Sequence, residues 1–148
     1  MIAIGCDHGA LDLKNQLIDH LKKRGIECKD TGCYTNESCD YPVYAKKVTD
    51  LVNSKECELG ILLCGTGIGM SIAANKFRGI MCAKVDNSDE ARLAKEHNHA
   101  NVISFSEKKT MWEIKDMVDA YLKATPLEGE RYLRRIEEIK DIEKKKKY

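Results

Sequence analysis

Between Glu58 and Ala74 the chain reads ELGILLCGTGIGMSIAA: an apolar run, one cysteine (Cys64), then glycine at alternate positions 65, 67 and 69. A strand ending in a reactive side chain, followed by bare backbone N–H groups that open a helix, can hold an anion. The same groups can stabilise negative charge that develops during a reaction. They favour a thiolate over a thiol, so a cysteine there is usable as a base or a nucleophile. A cysteine in an apolar run is otherwise a small core hydrophobe, and the spaced glycines tip the reading toward chemistry. Three better-known loops are excluded by one residue. A P-loop needs Lys and Ser/Thr after its last glycine, a dinucleotide loop counted from Gly65 needs glycine at 70, and a phosphatase loop needs arginine six residues after Cys64. The chain has Met70 at the decisive place in each case.

Asp7-His8 follows the first apolar segment and reads either as a site pair or as a cap and a turn residue. His97 and His99 lack the i, i+4 spacing of a helical metal pair and have no evident third ligand, so no metal is expected. His97 alone can act as a general acid or base near neutral pH. Arg131 and Arg135 lie at i, i+4 on one helical face. With Glu137 and Glu138 close by, they read as a solvated ion-pair surface or as a phosphate clamp.

These residues are held by short apolar segments alternating with amphipathic ones. Strands are predicted over 1–6, 26–30, 59–63, 80–85 and 101–105. A helix over 11–23 carries Leu13, Leu17 and Leu21 at helical spacing and stops at Gly25. Asp40 and Pro42 mark the start of a second, which runs through Val43, Val48, Leu51 and Val52. The helix after the glycine loop ends near Phe77, and further helices cover 86–96 and 112–122. The last, from about Glu130 to 146, carries Leu133, Ile136, Ile139 and Ile142, and docks on a partner subunit or on its own domain. This alternation predicts a single-domain doubly wound α/β/α sandwich with a five-stranded parallel sheet, Rossmann-like. Ligands of such sheets bind at the carboxyl ends of the strands. On this reading Asp7-His8, the glycine loop, His97-Asn98-His99 and Ser106-Glu107-Lys108 fall at or near those ends.

At 148 residues the chain can bury one proper core. Lys+Arg number 25 against 24 Asp+Glu, a balance that argues against nucleic acid or an anionic membrane as partner. The one block of like charge, residues 144–147, reads as a solvated helix end. The seven cysteines are odd in number and include no CxxC pair. No signal-like segment precedes Ile2, and no apolar run approaches membrane-spanning length. Free thiols and a cytoplasmic location are expected.

GCDHG at 5–9, DYP at 40–42, CGTGIGMSIAANK at 64–76, HN at 97–98 and Arg131 with Arg135 together resemble type B ribose-5-phosphate isomerases. These belong to a wider family of sugar-phosphate aldose–ketose isomerases that includes the galactose-6-phosphate isomerase subunits. The resemblance runs in order over essentially the whole chain. It implies that Cys64 moves a proton between C1 and C2 of the open-chain sugar. Thr66 and the backbone N–H groups of Gly65, Gly67, Ile68 and Gly69 would then steady the enediolate. It implies ring opening by His97, sugar contacts from Asp7, His8 and Asn98, and phosphate contacts from Arg131 and Arg135. It also implies a homodimer with a shared active site, and no cofactor or metal.

Family members without the cysteine place a glutamate just past the last loop glycine; Met70 there cannot accept a proton, so Cys64 is the only base this loop offers. Three positions depart from the family pattern. Lys108 stands in place of a phosphate-binding arginine, His99 in place of an aspartate, and Met81 in place of an arginine. Lysine keeps the charge but not the two-pronged geometry. The expected function is interconversion of ribose 5-phosphate and ribulose 5-phosphate. The alternatives are the same chemistry on another aldose phosphate and a non-catalytic sugar-phosphate binding domain.

Overall fold

The computed structural model describes residues 1–145, so positions 146 and 147 of the terminal lysine block, including the last residue predicted for the final helix, lie outside the described residues. The strands are β1 (Ile2–Cys6), β2 (Cys28–Gly32), β3 (Leu59–Cys64), β4 (Cys82–Lys84) and β5 (Val102–Ser106). The helices are α1 (Leu11–Lys23), α2 (Tyr41–Asn53), α3 (Ile68–Asn75), α4 (Ser88–Asn98), α5 (Met111–Lys123) and α6 (Glu130–Lys145). The strands form one parallel sheet in the order β2-β1-β3-β5-β4.

Alternation along the strands sends side chains to two separate cores. Ile2, Ile4, Cys6, Ile61, Leu63, Ile103 and Phe105 pack against α1, α4 and α5 through Leu17, Leu21, Ala91, Ile114, Val118 and Tyr121. Ala3, Leu62, Cys64 and Val102 face the other way, onto Ala45, Val48 and Val52 of α2 and Met70 and Ala74 of α3. The result is the doubly wound α/β/α sandwich that the pattern predicts. From β1 the chain steps to β2 on one side, and β3 lies on the other. The crevice of this fold therefore opens between the carboxyl ends of β1 and β3.

Element boundaries shift for identifiable reasons. β2 is paired from Cys28, because the Ile26 N–H is spent on Leu21 O at the end of α1. β4 is shorter than 80–85, since the Ile80 N–H closes a turn onto Phe77 O. α3 ends at Asn75, whose side-chain amide bonds both the N–H and the carbonyl of Cys82. α4 starts at Ser88 because Asn87 caps the Glu90 N–H at 2.8 Å, while Asp86 pairs with Lys84 instead. Asp40 sits at the N-cap of α2 without a side-chain cap bond, and Pro42 supplies the start signal.

One expectation about placement is corrected. A helix joining two parallel strands runs antiparallel to them, so α4 leaves the carboxyl end of β4 and delivers its last turn beside the amino end of β5. His97, Asn98 and His99 thus lie at the amino edge of the sheet, not near its carboxyl ends. Asn101 confirms the level, bonding Gly79 O and the Met81 N–H just ahead of β4. α6 also belongs to that edge. It touches α4, and Glu143 accepts the Gly79 N–H at 2.7 Å. Of its four apolar positions only Ile136 is buried; Leu133, Ile139 and Ile142 stay exposed.

Candidate active site

Cys64 ends β3 and points into the α2/α3 layer, only 5% exposed. It is a core-packed thiol, and it is also the mouth of the glycine loop: the Gly67 N–H donates to Cys64 Sγ at 3.2 Å. The loop reaches back because Gly67 has φ +82°, a left-handed conformation that glycine takes without strain. It also lies against β5, where a Cβ at 67 would stand 2.9 Å from the backbone C and Cα of Phe105. Two β5 hydroxyls fasten the loop. Ser104 Oγ donates to Gly67 O at 2.9 Å and Ser106 Oγ to Gly65 O at 2.8 Å. With those carbonyls held toward β5, the loop is fixed as the opening of α3, whose first N–H groups lack intrahelical acceptors. Thr66 Oγ1 accepts the Ile68 N–H at 3.2 Å, which leaves its hydroxyl hydrogen available to a ligand oxygen. The Tyr41 phenol packs over Gly69, so close that a Cβ there would meet Cζ at 2.6 Å.

Across the crevice, Asp7 follows β1 and accepts the Gly9 N–H at 3.1 Å. His8 Nδ1 accepts the Cys39 N–H at 3.3 Å, which assigns the ring proton to Nε2 and makes that atom a donor. Beyond Thr66 and Ile68 opens a cleft of about 560 Å³, bordered also by Ser106, Lys108 and the ion pairs Lys84–Asp86 and Lys109–Glu113. Lys108 is therefore at the same edge as Cys64 and adds positive charge there. The structure thus gathers Asp7, His8, Cys64, Thr66, the loop N–H groups and Lys108.

It does not bring His97, Asn98, Arg131 and Arg135 to them. Cys64 is level with Ser106, and Gly60 with Val102, so the two edges are about 13 Å apart along the strands alone. The amino-edge group has its own order. His97 stacks on Tyr132 with centroids 4.9 Å apart, and the Arg131 guanidinium lies over the other part of that stack, 5.2 Å from the Tyr132 centroid. Among the described residues neither Arg131 nor Arg135 forms an ion pair; on this helix the pairs go to Arg134, Lys140 and Lys144. That leaves both arginines open to an external anion. His99 is accounted for differently. It takes a left-handed conformation at the end of α4, and its Nε2 donates to Leu127 O at 2.7 Å, tying down the segment between α5 and α6. Among the described residues no cluster of ligands suits a metal ion.

Sequence reasoning gave no role to Ser104, Tyr41, Tyr132 or Glu107. Glu107 was visible only as a residue beyond the carboxyl end of β5. In the fold its N–H bonds Cys64 O at 2.8 Å, and its carboxyl lies flat on Gly9, where a Cβ would meet Oε1 at 2.7 Å. Burial first, and the neighbouring Asp7 second, push its carboxyl above the ordinary glutamate range.

Comparison with known proteins agrees with this fold. Escherichia coli ribose-5-phosphate isomerase B is 43% identical over 146 residues, covering 98% of this chain and 97% of the relative. A Clostridium thermocellum ribose-5-phosphate isomerase B structure superposes with a TM-score of 0.94 at 48% identity, over 97% of each chain. The Mycoplasma genitalium enzyme, solved with bound ribulose-5-phosphate, gives 0.91 at 40% identity over 98% of this chain and 97% of that one. The Ribose/Galactose Isomerase family model matches residues 2–139, and the chain belongs to that family.

Proposed function

We propose that this protein interconverts ribose 5-phosphate and ribulose 5-phosphate, with Cys64 as the base. The observation that carries the reading is the Gly67 N–H donating at 3.2 Å to the Sγ of a cysteine that is itself buried. The thiolate takes the C2 proton of the open-chain aldose. The electron pair moves to O1, and the resulting enediolate is met by the Thr66 hydroxyl and by the loop N–H groups other than those of Gly67 and Ile68, which bond Cys64 Sγ and Thr66 Oγ1. Returning the proton to C1, with the O2 proton passing to O1, leaves the ketose. Asp7 and His8 hold sugar hydroxyls. The reading uses no metal or cofactor.

His97 opens the sugar ring, Asn98 contacts the sugar, and Arg131 and Arg135 hold the phosphate, contributed by a second copy of the chain. The separation of the two residue groups by the height of the sheet supports this shared site in a homodimer. So do the exposed apolar residues Leu133, Ile139 and Ile142 on α6, and Ile68 and Ile72 on α3. Seven free thiols support a reducing, cytoplasmic setting.

The test is an isomerase assay with EDTA present, comparing ribose, allose, galactose and erythrose phosphates by kcat/KM. Highest efficiency on ribose 5-phosphate is expected. Preference for another sugar would make Met81 and Lys108 the specificity positions. Tight binding without turnover would replace the isomerase reading by a binding domain.

A further inference from the structure

We propose that Glu107 is a positioning residue whose protonated carboxyl donates to Asp7 and so fixes Asp7 as the acceptor for a sugar hydroxyl beside Cys64. The inference rests on the isomerase reading, in which Asp7 touches the substrate. Its geometry is independent of that reading. Glu107 is tied to the catalytic strand by its N–H bond to Cys64 O. Its carboxyl is clamped between Gly9, which must be glycine for it to fit, and the backbone at Gly65, where a Cβ would lie 4.0 Å from Oε1. Oε2 is buried and has no partner among hydrogen-bond donors of the described residues. The Asp7 carboxylate shares that place: its Oδ1 accepts the Gly9 N–H at 3.1 Å, on the same glycine that the Glu107 carboxyl covers. Two acceptors cannot satisfy one another, so a carboxyl pair at this range is stable when one member carries the proton and donates it.

The Gly9 N–H already bonds Asp7 Oδ1, whereas Glu107 Oε2 is buried without a donor, so Glu107 is the member of the pair suited to carry the proton. The other groups facing the pair are His8 on the turn after β1 and Lys108 next in the chain, both of which favour an ionised Glu107. Burial and Asp7 outweigh them. From β3 the nearest titratable side chain is Cys64, whose carbonyl rather than its thiol meets Glu107. When pH rises through the titration of Glu107, its proton leaves, two carboxylates face each other, and Asp7 is driven from its place. The sign follows: Asp7 is correctly held below this titration and displaced above it.

The experiment combines two readouts on the full chain. Carboxyl 13C NMR of glutamate-labelled protein, assigned by difference with Glu107→Gln, reports where Glu107 titrates. The pH profile of kcat/KM for ribose 5-phosphate is then compared among wild type, Glu107→Gln and Glu107→Ala. Glu107 should titrate above the ordinary 4.5, and wild-type kcat/KM should lose one ionisation there. Glu107→Gln should lack that ionisation, since its amide still donates to Asp7. Glu107→Ala should fall roughly tenfold or more, chiefly in KM. An active enzyme whose Glu107 titrates normally, or whose Glu107→Ala profile overlays wild type, overturns the inference and leaves the isomerase reading standing. A raised titration in a chain that turns over no sugar phosphate overturns both.

Discussion

Replacing Gly67 by alanine tests the link between loop shape and chemistry. At φ +82° an L-residue carries strain of about 1–2 kcal/mol. The new Cβ would also stand 2.9 Å from two backbone atoms of Phe105, and backbone in the middle of a sheet cannot step aside as a flexible side chain can. Forcing such an overpacked contact costs about 1–3 kcal/mol more. The sum, about 2–5 kcal/mol, corresponds to a fall in Tm of roughly 5–15 °C for a chain of this size. Relief of the clash moves the loop off β5, breaking both Ser104 Oγ to Gly67 O and Gly67 N–H to Cys64 Sγ. In the proposed mechanism that bond is made to a thiolate; its loss, worth about 1.5–3 kcal/mol, lowers kcat by roughly 10- to 100-fold even at temperatures where the protein stays folded. Thermal unfolding by circular dichroism and steady-state kinetics well below Tm measure the two effects separately. A variant with wild-type Tm and wild-type kcat would refute the reasoning. A lower Tm with unchanged kcat would detach the loop geometry from catalysis.

Other consequences are equally open to measurement. Cys64→Ala should lower kcat about 10²- to 10⁴-fold with KM little altered, as expected for loss of a base; turnover at the wild-type rate would remove Cys64 from that role. Cys64→Ala and His97→Asn, each nearly inactive, should recover about a quarter of wild-type activity when unfolded together and refolded as an equal mixture, because mixed dimers hold one intact site. No recovery, despite mixed dimers detected by mass spectrometry, would exclude a shared site. Lys14 is fully buried, 2.5 Å from Asp30 and 2.8 Å from Cys33 O. Lys14→Ala strands Cys33 O and leaves Asp30 with the Gly32 N–H alone, and should cost about 2–4 kcal/mol in urea unfolding, discounted for the partly exposed Asp30; a change under half of that would make the pair dispensable.

The sequence was most legible where the chemistry is contiguous. Cys64 through Gly69 needs no distant partner to announce an anion-stabilising loop, because strand end, glycine spacing and helix start are all local properties. The long amphipathic helices were legible for the same reason, and α1 and the core-facing residues Ile114, Met117, Val118 and Tyr121 of α5 fall where periodicity puts them. Strand ends were less so. Whether Ile26 or Ile80 joins a strand depends on a turn hydrogen bond that no side-chain pattern records.

Cys64 as the candidate reactive residue, its loop, and the parallel α/β architecture were therefore legible in the sequence itself, through short-range spacing and the burial of both sheet faces. The tertiary structure alone decided which of the other residues join it. Asp7 and Glu107 are a hundred positions apart and both reach Gly9 because two parallel strands on either side of β3 end at the same edge. His97 is nearer to Cys64 in sequence than Asp7 is, yet lies at the opposite edge, because the helix that carries it must reverse direction before the next parallel strand can begin.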